Sequence, residues 1–375
     1  MEWIGSVEIH VLSSAWVEHR HHHDDAYENV VLHVVWEDNK PVSWRDGSRL
    51  PTLELKNRVD NRLLQQYRRL AHSPEPIPCA AGFDRIATVT RRSMLDKILI
   101  ERLESKASAV SKMLTRNRND WEETSYQLVT KNFGFKVNTD PFHQLALSLP
   151  HKFILKHADK LQQVEALIFG QAGFLEESDG DQYYRQLQRE YRLLGRKYYI
   201  LARGLNKAQW RFLRLRPANF PTLRLAQLAS LVFYRKNLFS GMITIDSVKG
   251  YREFFGTGQS EYWLHHYQFG SDWKERVSTM GSDGIQNIVI NTVVTLLVAY
   301  GKSKNERVYI DRAVRILQTM APEKNKITGL WKDLGMTPQN AFDSQAMVEL
   351  YTHFCLKHRC LECNIGASLV KPRTS

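Results

Sequence analysis

The sequence lacks any run of eighteen consecutive apolar residues, and its first residues, Met1-Glu-Trp-Ile4, have neither the basic start nor the long apolar segment of a signal peptide. We therefore expect a cytoplasmic protein that does not interact with a membrane. No repeat of fixed period is present, which excludes a solenoid. Hydrophobic residues make up 43% of the 375 residues, which is enough for one large domain or two modest ones.

Cysteine is scarce and unevenly distributed. Cys79 stands alone, whereas Cys355, Cys360 and Cys363 form a C-x4-C-x2-C element near the end of the chain. In a cytosolic protein, clustered cysteines favour a metal centre over disulfides. We expect Cys79 to join the other three around one iron–sulfur cluster or one Zn²⁺ ion, because thiolates suit both.

The cysteine element has two alternatives. In the first, zinc is held by the three clustered cysteines and a nearby imidazole, from His353 or His358. In the second, the cysteines are unrelated residues on a terminal helix and bind nothing. The sequence leaves both open.

Acidic residues are outnumbered by basic ones, 40 to 52, so the formal net charge is +12. Such an excess favours polyanionic partners, because binding releases the counterions condensed on the polyanion. We therefore expect nucleic acid, DNA or RNA, as a partner, although a basic protein need not bind an anion.

Two segments near the N-terminus alternate in polarity as strands do. In residues 6–12, Glu8 and His10 share one face, and in residues 30–36, His33 follows on the next strand. A carboxylate and imidazoles at this spacing predict a metal site, with Glu8 as a ligand, His10 beside the attacking water and His33 in support. The opposite, apolar face of the first strand predicts that Glu8 and His10 share a face that solvent is able to reach. That apolar face carries Val7, Ile9 and Val11.

The connection between these strands is the most histidine-rich stretch of the chain. His19 and His21 are able to reach the Glu8 and His10 face and to bind the same divalent metal, Mg²⁺ or Mn²⁺. The alternative for the whole run, which continues through His22 and His23, is a solvated loop.

A rival constellation follows in residues 46–56. Asp46, then Glu54-Leu-Lys56 on a short strand, is the order used by metal-dependent nucleases, in which two acids hold Mg²⁺ and the lysine activates water. Asp46-Gly47 is equally a natural tight turn, and a motif this short arises easily by chance.

Cations and aromatic residues alternate in residues 210–224. Arg214, Arg216 and Arg224 are candidates for phosphate contact, because guanidinium groups bind phosphate and stack on bases. Two prolines interrupt this stretch, so it is not simply one solvated face of a helix.

The fold class predicted is α+β, with a small N-terminal α/β unit followed by a large, mainly helical region. The first unit, residues 1–78, is expected to hold a mixed sheet, and residues 79–375 are expected to be helical with the cysteine element at the end. The Pro-rich break at residues 73–78 separates them. The helices predicted after the first unit cover residues 84–115, 119–133, 140–149, 159–169, 181–203, 222–234, 284–300, 306–319 and 338–356.

Several short motifs together resemble an uncharacterised bacterial family of unknown function, DUF2851. They are G-x-V-E-I-H at residues 5–10, W-x-x-H-x-H at 16–21, Y-x-N-V-x-L-H-V-V-W at 27–36, P-T-L-E-L-K at 51–56, I-P-C at 77–79, G-Q-A-G-F-L at 170–175, R-P-A-N-F-P at 216–221 and C-L-x-C-x-I-G at 360–366. The family name implies no activity.

The resemblance extends, more distantly, to the PD-(D/E)XK nuclease superfamily. Family members usually begin some tens of residues earlier, with a Gly-Pro-Asp-Phe element, and Pro-Asp followed by Glu-x-(Lys or His) is similar to that nuclease core. Some superfamily members also carry a four-cysteine iron–sulfur cluster. Here no Pro-Asp precedes Glu8 and His10 replaces the usual lysine, so the resemblance implies a nuclease-like protein with weak or no catalysis. The alternatives are a non-catalytic nucleic-acid-binding protein and an unrelated metal enzyme that uses the histidines.

Overall fold

The computed structural model describes residues 2–370 and divides the chain into two units. One unit combines residues 1–94 with residues 351–375, and the other is Leu95–Leu350. The division falls after Met94, whereas the sequence predicts a boundary at residues 73–78. The residues from Tyr351 onward, which include the three clustered cysteines, belong with the N-terminal strands and not with the helical unit.

The strands are β1 (Ser6–Leu12), β2 (Val30–Glu37), β3 (Thr52–Glu54), β4 (His266–Gln268) and β5 (Ser271–Asp272). The α-helices are α1 (Ala15–Glu18), α2 (Asn61–Ala71), α3 (Thr88–Arg116), α4 (Trp121–Phe133), α5 (Thr139–Ser148), α6 (His151–Leu155), α7 (Leu161–Gln171), α8 (Gln182–Lys197), α9 (Pro221–Tyr234), α10 (Leu238–Thr244), α11 (Val248–Phe255), α12 (Ser282–Ile288), α13 (Val294–Lys304), α14 (Arg307–Thr319), α15 (Lys326–Asp333), α16 (Ala341–Leu350) and α17 (Asn364–Val370). The α+β class is therefore confirmed, with a small sheet in a mostly helical chain.

The sheet of the first unit has the strand order β1-β2-β3, and both strand pairs are parallel. The mixed sheet predicted from the sequence is therefore wrong for the described residues. The physical reason lies in the connections: residues 13–29 and 38–51 are each long enough to carry the chain back to the starting edge of the sheet, as a parallel pair requires. The Asp46-Gly47 turn forms inside the second connection, with Gly47 at φ 82°.

A small hydrophobic core holds these connections against the sheet. It consists of Trp16, Val30, Val42 and Leu50, all buried. The indole N–H of Trp16 donates to the Ser43 carbonyl at 3.2 Å, so the first connection is fixed to the second by both packing and a hydrogen bond. Burying one such aromatic side chain contributes roughly 1.5–3 kcal/mol.

Aspartates begin several of the helices. The carboxylate of Asp60 accepts from the Arg62 backbone N–H at the start of α2, and Asp120 and Asp181 do the same for α4 and α8. Each such cap satisfies a backbone donor that the helix leaves free and contributes about 1 kcal/mol. The caps account for the agreement between the predicted and observed starts of α4 and α8.

The most apolar part of the second unit is a continuous helical stretch, Ser282–Lys304, which contains α12, a π-helical segment (Val289–Val293) and α13. It is long and apolar enough to cross a membrane, but 72% of its most apolar window is buried inside the structure. Such burial is typical of a core helix in a protein that does not span a membrane.

A candidate histidine-rich metal centre

Glu8, His10 and His33 lie on the same face of the sheet. In the parallel pairing of β1 and β2, Glu8 is opposite His33 and His10 is opposite Val35. The His33 side chain is completely buried, and its Nε2 lies 2.9 Å from Nδ1 of His10. On the other side of the His10 ring, Nε2 is 3.5 Å from Oε1 of Glu8. The two strands therefore place a carboxylate and two imidazoles in one row.

The face of β1 that carries Glu8 and His10 is the covered one. The His10 side chain is only 10% exposed, whereas Ile9 and Val11 on the opposite face are each 71% exposed. The two residues share a face, as predicted, and Glu8 stays partly reachable by solvent at 27% exposure. The chain nevertheless covers this face and leaves the apolar face exposed. The reason is that residues 13–29 fold over the polar face, while β1 lies at the edge of the sheet.

The connection over this face delivers His19 and His21. Trp16 is buried in α1 and fixes the connection, and the left-handed backbone of Arg20, at φ 61°, turns the chain so that both histidines return to the sheet. One ring nitrogen from each of His10, His19 and His21 lies within 4.8 Å of the other two. In the described part of the chain, this trio is the group of three potential ligands that meets this distance.

The remaining contacts leave the trio free to bind an ion. Nε2 of His21 is buried without a hydrogen-bond partner, and the His21 ring stacks on Tyr27 at 3.8 Å between centroids. Burial lowers the pKa of His10 and of His21, an effect that the nearby Glu8 carboxylate opposes. Burial also lowers the pKa of His33 to about 4. The lowered pKa values favour the neutral forms of His10, His21 and His33 at pH 7, and a neutral imidazole holds the lone pair that a metal ion requires.

The donor set fits a divalent transition ion. The imidazoles of His10, His19 and His21 supply three ligands. The Glu8 carboxylate, whose Oε1 lies 3.5 Å from Nε2 of His10, lies beside them as a candidate fourth ligand. His33 then belongs to the support of the site, because its hydrogen bond to Nδ1 of His10 leaves Nε2 of His10 as the metal-facing atom.

His22 and His23 stand apart from the trio. Their rings face each other at 3.9 Å between centroids, and His23 is exposed. The solvated-loop interpretation therefore fits His23, whereas Nδ1 of His22 is buried without a hydrogen-bond partner. A cavity of about 340 Å³ adjoins His21 and His22. Its lining residues are Trp16, His21, His22, Asp24, Tyr27, Glu28, Trp44, Arg45 and Asp46.

The side chains of the rival set, Asp46, Glu54 and Lys56, each form hydrogen bonds with nearby residues. Both the hydroxyl and the backbone N–H of Ser48 donate to the Asp46 carboxylate, which lowers the pKa of Asp46. Lys56 donates to Glu37 at 2.7 Å, and Glu54 accepts from the Asp38 backbone N–H. Asp46 thus closes its own turn, and the geometry favours the histidine site over this set.

The four cysteines form one buried group in the first unit. Each is at most 8% exposed. Burial, and then the proximity of Cys363 and Cys360, raise the pKa of the Cys79 thiol to about 12. The pKa of Cys355 is also raised, by burial and then by Cys79, Cys363 and Cys360. The structure thus brings Cys79 to the C-terminal trio across most of the length of the chain.

The three arginines of residues 210–224 are placed differently. Arg214 and Arg216 are exposed, and Arg214 has a left-handed backbone, at φ 63°. Arg224 is buried in α9, where it donates to Gln227 and Asn219 and lies over the Phe135 ring. Burial also lowers the pKa of Arg224 to about 10. The Arg224 side chain is therefore engaged by contacts within and beside α9 and by the Phe135 ring, while Arg214 and Arg216 are exposed.

The comparison with known families bears directly on these elements. A family model described as "Protein of unknown function (DUF2851)" matches residues 1–326. The chain belongs to this family. No curated protein and no solved structure matches it. The DUF2851 match includes the histidine site and Cys79, whereas the C-x4-C-x2-C element follows after its end.

The sequence interpretation missed two aromatic residues that build the site of this DUF2851 protein. Trp16 contacts the rings of both His21 and His33, and Tyr27 stacks on His21. The signal was present, because each aromatic residue lies in a motif that also contains a site histidine. Polarity alternation on the strands does not detect them, since both are in the connection.

Proposed function

We propose that this protein is a metal-dependent, nuclease-like hydrolase of phosphodiester bonds, with its metal site at Glu8, His10, His19 and His21. The observation that carries the proposal is the convergence of three imidazole nitrogens within 4.8 Å of one another, beside a carboxylate on the same strand. A divalent ion at such a site lowers the pKa of a bound water and polarises a phosphoryl oxygen.

The donor set narrows the choice of ion. Mg²⁺ prefers oxygen ligands and keeps several waters, whereas imidazole suits the later first-row ions. Of the two ions expected from the sequence, Mn²⁺ is the better match, and Zn²⁺ is the strongest further candidate. Glu8 serves as the anionic ligand, and His33 fixes the orientation of His10.

Nucleic acid is the proposed substrate on grounds of charge. The net charge of +12 favours a polyanion, and Arg214 and Arg216 are exposed in the second unit. The order Glu-x-His on a strand is similar to the nuclease pattern Glu-x-Lys. Arg224 is left out of the proposed contacts because it is buried.

A non-catalytic nucleic-acid-binding protein is the second candidate. The number of acidic residues favours this candidate. Among Glu8, His10 and His33, Glu8 is the one acid, whereas two-ion nucleases use at least two acids to hold the cations. An unrelated metal hydrolase would share the site but not the substrate.

We further propose that Cys79, Cys355, Cys360 and Cys363 hold an iron–sulfur cluster of structural function, with Zn²⁺ as the alternative. The C-x4-C-x2-C spacing is similar to that of plant-type [2Fe–2S] proteins, whereas structural zinc more often uses paired C-x2-C elements, so the spacing favours a cluster.

The experiment on function compares variants after metal removal and reloading. Protein treated with a chelator is reloaded with Mn²⁺, Zn²⁺ or Mg²⁺ and incubated with double-stranded DNA, single-stranded DNA and RNA at low salt. Wild type and His23→Ala should cleave at least one substrate with Mn²⁺ or Zn²⁺. The cleavage rates of His10→Ala and His21→Ala should fall more than about 100-fold, because even outer partners of metal ligands are worth 10–100-fold.

Three other outcomes separate the candidates. Salt-dependent binding without cleavage selects the non-catalytic protein. Cleavage that is equal in wild type and His10→Ala places the activity outside this site, and the rival Glu54 is then tested with Glu54→Ala. Absence of both binding and cleavage contradicts nucleic acid as the substrate.

A further inference from the structure

The helical unit contains a second cavity, unrelated to the histidine site. Its volume is about 380 Å³, within the range of small-molecule binding pockets. It lies between α3, α4 and α5, with the π-helical segment and the start of α13 as its floor. The lining residues are Lys106, Ala109, Val110, Lys112, Met113, Arg116, Asn117, Gln127, Leu128, Lys131, Asn132, His143, Leu147, Asn291 and Thr295.

The charges around this cavity are all of one sign. Lys106, Lys112 and Arg116 come from one side of α3, and Lys131 comes from α4. No Asp or Glu is among the lining residues. Within residues 2–370, Lys112, Arg116 and Lys131 have no ion-pair partner. Four cations around one concave surface attract an anion, because low-dielectric walls strengthen the field inside a cleft.

Lys106 lies at the inner end of the cavity and is held in place. Its ammonium group donates to the side-chain oxygen of Asn291 at 2.7 Å. Burial and, to a smaller extent, the Arg102 guanidinium lower its pKa to about 7, against the opposing effect of Glu349 and Glu323. A partly buried lysine without a carboxylate in direct contact is less costly when a ligand supplies the missing negative charge.

The residue that holds Lys106 belongs to the π-helical segment. The side chain of Asn132 donates to the Asn291 carbonyl at 3.2 Å and to the Thr292 hydroxyl at 2.9 Å. The Thr295 hydroxyl donates to the same carbonyl at 3.2 Å. A π-helical turn inside an α-helix is disfavoured and occurs frequently at functional sites. Here it directs Asn291 into the cavity.

The rest of the lining is apolar or amide. Val110, Met113, Leu128 and Leu147 supply an apolar wall, and Leu147 is 56% exposed at the surface. Asn117, which donates to Gln127 and Thr124, adds an amide group that is able to form hydrogen bonds with polar atoms of a ligand. An inorganic anion alone would leave this wall in contact with water.

We propose that this cavity binds a small phosphomonoester whose dianionic phosphate is held by Arg116, Lys131 and Lys106, and whose apolar or aromatic body packs on Val110, Met113 and Leu147. A phosphate dianion matches the unpaired cations better than a single carboxylate does. The site lies in a different unit from the metal centre and does not depend on the proposed hydrolase function.

Calorimetric titration of the full chain tests the proposal. The probes are adenosine monophosphate, uridine monophosphate, 1-naphthyl phosphate, inorganic phosphate and the neutral nucleoside adenosine. At least one of the three organic phosphates should bind with a stoichiometry of one. Its affinity should exceed those of inorganic phosphate and of adenosine at least about 10-fold, because inorganic phosphate has no apolar body and adenosine has no phosphate. Failure of all three organic phosphates to bind at 10 mM contradicts the proposal.

Matched variants assign the site. Arg116→Gln with Lys131→Gln removes two lining charges, and Arg118→Gln with Lys136→Gln removes two exposed charges outside the lining. The first pair should weaken binding at least about 10-fold, and the second less than about 3-fold. Equal weakening in both pairs would show a diffuse effect of net charge and overturn the assignment. Arg116→Gln alone, at an exposed position, repeats the test if the first pair fails to fold.

A proton readout distinguishes binding at Lys106 from binding elsewhere. A phosphate beside the ammonium group raises its pKa, so binding at pH 8 takes up protons, and the apparent enthalpy then varies with the buffer. His143 contributes in the same direction, because Lys131 and Arg116 help to lower its pKa in the free protein, after burial. In Lys106→Met the proton uptake should fall. Uptake that is unchanged in this variant contradicts a role for Lys106.

Discussion

Nε2 of His33 lies 2.9 Å from Nδ1 of His10 and at the same time inside the core of the first unit, with no exposed surface. This contact connects His10 of the candidate metal site to β2, the central strand of the sheet. If Nε2 of His10 binds the ion, Nδ1 of His10 carries the proton and donates it to His33, so the tautomers of both rings follow.

The first prediction concerns His33. His33→Ala should weaken metal binding by about 10–100-fold, because the ring of His10 loses the acceptor that orients it. His33→Gln supplies a side-chain oxygen and should recover part of the affinity. The measurement is competition for Mn²⁺ or Zn²⁺ with a coloured chelator, alongside a thermal melt. Equal affinity in wild type and His33→Ala would show that the hydrogen bond is only structural.

The second prediction separates the two halves of the histidine run. His19→Ala and His21→Ala should each lower metal affinity more than about 100-fold, since each removes a ligand. His23→Ala should change the affinity less than about 3-fold, because His23 is exposed and pairs with His22. The same chelator competition measures all three. A fall in affinity in His23→Ala as large as in His21→Ala would point to a loosely organised, loop-based site.

Much of this architecture follows from local sequence patterns. The alternation of β1 and β2, the Asp46-Gly47 turn and the long amphipathic helices depend on neighbours within about ten residues, and each is found where the pattern predicts it. The sequence does not predict the short helices α1, α6, α10, α11, α15 and α17, because one or two turns carry too little periodicity. The β4 and β5 hairpin was missed for the same reason.

The burial of the β1 face depended on information that is not local. Alternation predicts which residues share a face, but it does not predict which face of β1 is buried. The Glu8 and His10 face is buried because the connection that contains Trp16 folds over it, and because β1 lies at the edge of the sheet. In the same way, nothing local indicates that Lys106 and Asn291 meet across 185 positions.

The third prediction concerns the exposed arginines. Neutralising Arg214 and Arg216 together, as Arg→Gln, should lower the slope of log affinity against log salt for double-stranded DNA by about 1–2 units, because each guanidinium that neutralises a phosphate adds about one unit to the slope. The matched control is Arg203→Gln with Arg307→Gln, which removes the same charge from other exposed positions. An equal change in slope for both pairs would exclude a specific role for Arg214 and Arg216 in phosphate binding.

The fourth prediction concerns the cysteines. Protein purified without oxygen should contain iron and sulfide and absorb visible light, and Cys79→Ser should lose the colour and melt at a lower temperature. The lower melting temperature is expected because the centre ties two distant parts of the first unit together. One equivalent of zinc without visible absorption would select Zn²⁺ instead. If Cys79→Ser keeps the full metal content, His353→Ala and His358→Ala then test the three-cysteine site.

The last prediction concerns Glu165, which is 1% exposed in α7 and accepts from the Ser260 hydroxyl at 2.5 Å. Burial raises its pKa to about 7, against the opposing hydrogen bonds from Ser260 and Tyr183. Because the folded state holds this proton up to a higher pH than the unfolded state, the folded state binds more protons between about pH 4.5 and 7. The free energy of unfolding therefore falls as the pH rises through this window.

Glu165→Gln removes the titration but keeps the shape. Relative to this variant, the wild type should lose on the order of 3 kcal/mol of unfolding free energy between pH 4.5 and 8. Urea unfolding at several pH values measures the difference, in which all other titrating groups cancel. The control Glu253→Gln, at an exposed carboxylate, should parallel the wild type. Parallel curves for wild type and Glu165→Gln would mean that Glu165 is ionised in the folded protein, and that Ser260 and Tyr183 solvate its charge.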